Sequence, residues 1–263
     1  MSSGHRGFRV RCVVAALSAG SLMTVAIAAD RSATIEDSGV LKVTSARMAR
    51  IESFELRRAS DGSRVLSSTT VGEGGRYRVT GQWSYDAEWV ATGARGQGQI
   101  DGTPFEVTIE RGDQGARMRV QRAEGERDYA AACADDCLID LAPSALPMFT
   151  MTRRYDIGRG GVQTFRWVGH SLTDGQVLLD GVARIGRVRI APFRTADGAA
   201  VEVQQFAFVE TLRDEASGRS FDVAFNLYVD AAHRPLAFAI GGSTRGERVG
   251  YEGLVTALPF QAP

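Results

Sequence analysis

Lysine is almost missing from the chain: Lys42 is the only one, and arginine supplies the remaining positive charge. That bias reads as genome composition before it reads as function. Histidine is nearly as scarce, with only His170 and His233 beyond the first thirty residues. No G-x-S-x-G stretch offers a nucleophile for either of them, so no serine triad is legible, and both read as ordinary turn or surface histidines. No second group of Cys or His completes a metal site, and no fixed-period repeat marks a propeller or solenoid. Paired carboxylates for glycosidase-like chemistry form in space and not along the chain, and 31 acidic residues leave no basis for choosing two. No catalytic residue, metal or cofactor is therefore assigned.

The first thirty residues are built differently from the rest. Arg6, Arg9 and Arg11 form a positive front, Val13 to Ile27 is apolar and small, and no acidic residue precedes Asp30. This is the layout of a secretory signal peptide over residues 1–28, with Ala26 and Ala28 as the small residues before the cut. The apolar run is shorter than the ~20 residues of a spanning helix. Cys12 precedes it, so no lipid-modified cysteine survives cleavage. The expectation is a periplasmic or secreted protein, with residues 29–263 forming a single antiparallel β domain that carries a helical insertion. Without the three leader arginines, 28 basic residues face 31 acidic ones, a net charge near −3. Nucleic-acid binders cluster basic charge, and nothing here does.

Export changes how the cysteines read. Cys133 and Cys137 are the pair that remains, and an even pair in an oxidising compartment predicts a disulfide. It would close a small loop, shaping it locally more than stabilising the whole chain. A redox pair is the alternative, disfavoured by the C-x3-C spacing and by Asp135 and Asp136 between the sulfurs. Those two aspartates with Asp140 can also be read as a hard-cation loop, but they match no calcium-loop spacing and read better as a solvated acidic turn.

From Ala46 on, apolar residues recur with period 2 in segments broken by Gly or Asp-Gly turns, as in antiparallel meanders. Strands are expected at 51–56, 64–71, 76–83, 88–95, 97–100, around 105–109 and around 118–120. In the second half they are expected at 164–168, 176–185, 188–193, 201–212, 220–229, 236–240 and 247–255. Asp61-Gly62, Asp101-Gly102, Asp174-Gly175, Asp197-Gly198 and Ser217-Gly218 supply turns. Gln204-Gln205 breaks the phase of its strand, where a bulge fits. The fold class is mainly β: a curved antiparallel sheet or half-barrel with one plug helix, its polar row a solvated face.

That helix is expected over 143–155, capped by Ser144, with Pro147 tolerated in the first turn and Gly158, Gly160 and Gly161 after it. Its apolar side, Leu146, Phe149 and Met151, reads as core or as the gate of a ligand cavity. Tyr129 and Tyr155, with Asp140 and Asp156, are candidates for the cavity mouth, because ligand sites set few polar groups among apolar walls.

The phrases Leu138-Ile139-Asp140, Gly160-Gly161-Val162-Gln163-Thr164-Phe165, Leu227-Tyr228-Val229-Asp230 and His233-Arg234-Pro235-Leu236 carry a resemblance over Phe54 to Val255. The chain resembles exported β-sheet proteins of a domain-of-unknown-function family and, more distantly, the Lol-type lipoprotein-carrier class. The resemblance implies an incomplete barrel around an apolar cavity closed by helices. The C-x3-C loop has no counterpart in the carriers. Three functions follow as expectations: a non-catalytic binder or carrier of an apolar small molecule or lipid, an envelope assembly factor pairing with a protein partner through a sheet edge, or a hydrolase or isomerase with an unrecognised site.

Overall fold

Period-2 alternation runs through much of the chain, and among the described residues it produces one sheet of fifteen strands. The structure, a computed structural model, describes residues 33–262 apart from 47–48, 76, 133–136, 172–176 and 214–219. The expected signal peptide, Cys133, Asp135, Asp136 and the turns Asp174-Gly175 and Ser217-Gly218 lie outside the described residues. Among the described residues no helix is long and apolar enough to cross a membrane.

Strands β1 (Thr34–Thr44), β2 (Ala49–Arg58), β3 (Arg64–Gly72), β4 (Tyr77–Tyr85), β5 (Ala91–Ile100), β6 (Thr103–Gly112), β7 (Gly115–Arg122) and β8 (Gly125–Ala131) form one meander. A second comprises β10 (Gln163–Ser171), β11 (Val177–Arg194), β12 (Ala200–Arg213), β13 (Ser220–Val229), β14 (Pro235–Ile240) and β15 (Thr244–Arg248). The two join where β1 pairs antiparallel with β15 in the register Leu41↔Arg248. Arg248 staples this seam: its Nη2 and Nη1 reach Asp37 at 2.8 and 3.1 Å, and it donates to the Ser38 and Pro235 carbonyls.

Strand β9 (Leu138–Ala142) is not among the expected strands, and it makes the mostly antiparallel sheet a mixed one. It lies at the far end of the sheet, parallel to β10, with Asp140 opposite Gly169. A parallel neighbour needs a long crossover, and residues 143–162 with their helix provide it. The sheet curls until β9 packs against β5. The inner row of β5 is Ala94, Gly96 and Gly98, paired to Trp83, Gly81 and Val79 of β4, so small residues leave room for the crossing strand.

The concave side holds the main core, including Trp83, Ile109, Met118, Phe206, Phe208 and Phe238, each buried side chain stabilising by roughly 1.5–3 kcal/mol. Several rings lie flat over glycines. A Cβ on Gly81 would fall 2.4 Å from the Trp83 ring, one on Gly181 2.0 Å from Trp167, and one on Gly246 2.3 Å from Phe238.

On the convex side of β12 to β14 a second apolar cluster, with Val203, Tyr228 and Leu236, is covered by Leu254 and Leu258 of the C-terminal segment. This explains Gln204-Gln205. The register passes unbroken through both residues, and the shift lies in the partner strand, between Ile185 and Arg187. Alternation is lost there because both faces are covered, and not because of a bulge.

Other expectations shift for local reasons. Asp101 and Gly102, with φ of 46° and 82°, make the expected hairpin turn of two left-handed residues. The strand expected from Glu88 starts at Ala91, because the Asp86 carboxylate accepts the amides of Glu88 and Val90 and curls that segment into a turn. The strand expected over 247–255 stops at Arg248. Gly250 and Gly253, at φ 94° and 85°, turn the chain into a short helix, α2 (Leu254–Ala257). The two strands expected over 176–193 are one, β11, and β1 and β8 went unforeseen.

Candidate functional site: carboxyl groups beneath the helix

The expected helix is present but shorter than 143–155. After the cis Ala142–Pro143 bond, the Ser144 hydroxyl accepts the Leu146 amide at 3.2 Å, a 3-10 turn spans Leu146–Met148, and α1 spans Phe149–Arg154. The Thr150 and Thr152 hydroxyls donate back to the Pro147 and Phe149 carbonyls at 2.6 and 2.8 Å, leaving little polar surface on the buried face. Gln163 then closes the return loop, accepting the Asp156 amide at 2.9 Å and donating to its carbonyl at 2.7 Å.

Three strands aim carboxyl groups inward. On β2 the inner row is Glu52, Phe54 and Leu56, while Ile51 points outward and is 54% exposed. On β12 the row is Phe206, Phe208 and Glu210, and on β9 it is Asp140 that faces in. Glu52, Asp140 and Glu210 are all more than nine-tenths buried. Asp140 and Glu210 line one pocket under the helix, walled by Leu138, Met148, Met151 and Trp167. It is nearly filled, with about 10 Å³ of free space, little more than a water molecule needs.

The electrostatics follow from that placement. Desolvation pushes the Asp140 carboxyl up to about 7, against a hydrogen bond from the Leu141 backbone and with help from the Glu52 charge. Desolvation also raises Glu210 well above the carboxylate range, and the Asp140 charge adds to it. Glu52 is raised by burial and partly restrained by Ser144, Arg50 and Ser68. Even so, neither Glu52 oxygen has a hydrogen bond of good geometry, and Asp140 Oδ1, Trp167 Nε1 and the Tyr85 hydroxyl are equally without one. Such groups cost about 1–3 kcal/mol each. Among the described residues no three His, Cys, Asp or Glu converge tightly enough to hold a metal ion.

Of the residues singled out from the sequence, Asp140 and Met151 line the pocket, whereas Asp156 is exposed in the return loop. Leu146, Phe149 and Tyr155 are buried in the surrounding core. The Tyr155 hydroxyl donates to the Gly161 carbonyl at 2.8 Å, and its ring meets Phe206 edge-on at 5.8 Å. Tyr129 is half-buried on the terminal strand β8, where Glu126, Arg127 and Asp128 are exposed, charges that discourage strand addition at that edge. Cys137 is buried. Sequence reasoning missed Glu52 and Glu210. The available signal was phase: each falls in the inward register of its strand, two residues from a phenylalanine.

The far end of the helix is clasped. Trp89, at φ 66°, lies between the guanidinium groups of Arg64 and Arg153, 4.4 and 4.1 Å from its ring centroid. Arg64 also donates to Glu36 at 3.0 Å and to the Gly62 and Ala87 carbonyls. His233 Nδ1 lies 3.1 Å from the Thr152 hydroxyl, and burial followed by the Arg153 charge lowers its pKa. A separate groove of about 340 Å³, lined by Thr44, Thr244, Arg245, Thr256 and Phe260 among others, has no buried charged group among its described lining residues.

No family model matches the chain, and no curated protein matches it. Two solved structures are similar. One is a beta-barrel-like protein of the domain of unknown function DUF1849 from Brucella abortus, at 11% identity and a TM-score of 0.48, covering 80% of this chain and 94% of that one. The other is a DUF1089 family protein from Pseudomonas aeruginosa, at 16% identity and a TM-score of 0.41, covering 71% and 87%.

Proposed function

We propose that the protein is an exported, periplasmic, non-catalytic binder of an apolar ligand, a lipid or a lipid-bearing molecule, received beneath α1. The observation that carries this reading is the pocket under the helix, where apolar walls surround two carboxyl groups. The sequence resemblance to lipoprotein carriers supports the same direction. Met148 and Met151 form the movable wall, since unbranched thioethers repack at low cost. A ligand larger than the present space enters as these side chains and the short helix shift. Each Å² of apolar surface it buries contributes roughly 25 cal/mol. A Cys133–Cys137 disulfide pins the segment that leads into β9, so the floor of the pocket stays in place while its roof moves.

Native mass spectrometry of the protein recovered from its own periplasm tests all parts together. The expected species begins at Ala29, lacks two thiol hydrogens and carries an organic-extractable adduct. A polypeptide that is always bare, and takes up no apolar probe when supplied, sinks the binding reading.

A further inference from the structure

We propose that the pocket selects an ammonium group: its ligand is an apolar chain or ring bearing a protonated amine, seated with the nitrogen between Asp140 and Glu210. This rests on the binding reading above and narrows it to a chemical class. Both carboxyl groups are more than nine-tenths buried and line the same pocket, and Asp140 Oδ1 has no hydrogen-bond partner. Among the described residues no basic side chain lines that pocket with them. Arg50, which acts on the neighbouring Glu52, donates to the Pro143 carbonyl at 2.9 Å. Asp140 feels the Glu52 charge, and Glu210 the Asp140 charge.

A buried acid without a counter-charge is costly, and a ligand cation supplies what the fold withholds. Trp167 adds an aromatic wall, which favours a cation against its face. The water-sized space now open matches an ammonium head, while Leu138, Met148 and Met151 match an apolar remainder. A metal ion is the other way to neutralise acids, and the described carboxyl groups do not converge closely enough for it.

Calorimetric titration with octylamine, octanol and octanoate, which share one chain length, tests the class. Octylamine is expected to bind about tenfold or more tighter than octanol, the size of one charge-assisted hydrogen bond, and octanoate weakest. In the Asp140→Asn, Glu210→Gln double variant the amine falls to the level of the alcohol, whose own affinity stays unchanged. Met151→Trp, which fills the pocket, abolishes binding of both. Equal affinity for octylamine and octanol in the parent protein overturns the ammonium inference while leaving the apolar-ligand reading standing. Binding that survives Met151→Trp places the probes elsewhere and overturns it too. Absence of binding by all three removes the apolar-ligand reading with it. The parent comparison needs no variant to fold.

Discussion

On the convex face of β12, Gln205 Nε2 reaches Asn226 Oδ1 at 2.6 Å and the Pro259 carbonyl at 3.0 Å, while five residues on, on the concave face, Glu210 looks into the pocket. Both side chains are buried, but their surroundings differ. Around Gln205, Asn226 donates to the Gln261 carbonyl and accepts its amide, both at 2.9 Å, and the Tyr228 hydroxyl donates to the Leu258 carbonyl at 2.7 Å. Only Gln205 Oε1 is left over. Neutral groups there meet backbone, and the C-terminal tail is tied down. Around Glu210 the charged neighbour is Asp140, whose Oδ1 is unpartnered and whose charge raises the Glu210 pKa further. One strand thus carries a polar network that holds the fold and another that opposes it. A fold retains the second kind where a site needs the unmet capacity.

The largest expected effect comes from removing an inner acid. Asp140 ionises near 7 in the folded chain against 3.8 for an ordinary aspartate, so the folded state holds the proton more tightly than the unfolded one. The stability this gives is complete below about pH 4 and is lost as pH rises through 7. Asp140→Asn is therefore expected to match the parent at pH 4 and exceed it by about 4 kcal/mol at pH 8, read from denaturant melts. A variant less stable than the parent at pH 8 would move Asp140 to the structural side of the comparison.

The outer network predicts the opposite sign. Asn226→Ala leaves the amide and carbonyl of Gln261 without their partners and should cost about 2–3 kcal/mol at every pH, with faster hydrogen exchange over residues 258–261. If it proves as harmless as removing an inner acid, the contrast between the two faces collapses.

A smaller change sharpens the picture at the roof. Trp89→Ala removes the plate between Arg64 and Arg153 and is expected to cost about 1 kcal/mol. Its signature is faster uptake of octanol by stopped flow, with the final affinity little altered. An unchanged rate would mean that the clasp does not govern entry.

How much of this was legible can be read from single residues. Strand content, the Asp101-Gly102 hairpin and the place of the helix followed from alternation and turn chemistry, which are local. Of the carboxyl cluster Asp140 was legible from its place beside the helix, but Glu52 was not, because apolar periodicity treats Ile51 as inward and Glu52 as outward, and the fold does the reverse. Only Phe54 and Leu56, two and four residues on, betray the phase. Glu210 hides similarly at the end of an aromatic row. β9 was illegible for another reason: Leu138-Ile139-Asp140-Leu141 is buried on both sides and shows no alternation, and its parallel pairing depends on where the crossover returns the chain.

The seam between β1 and β15 means that the chain's first and last strands are neighbours, whereas β8 and β9, consecutive in sequence, lie at opposite ends of the sheet. Read from β9 through β15 and on from β1 to β8, every strand follows its spatial neighbour. Apart from the parallel crossover between β9 and β10, the strand order is that of a meander rotated so that its break falls between β8 and β9. Long-range closure falls on the β1–β15 seam, which cannot pair until β15, near the end of the chain, has been delivered. A permuted chain, with β15 leading directly into β1 and the break set between β8 and β9, would pair each strand with the one just made.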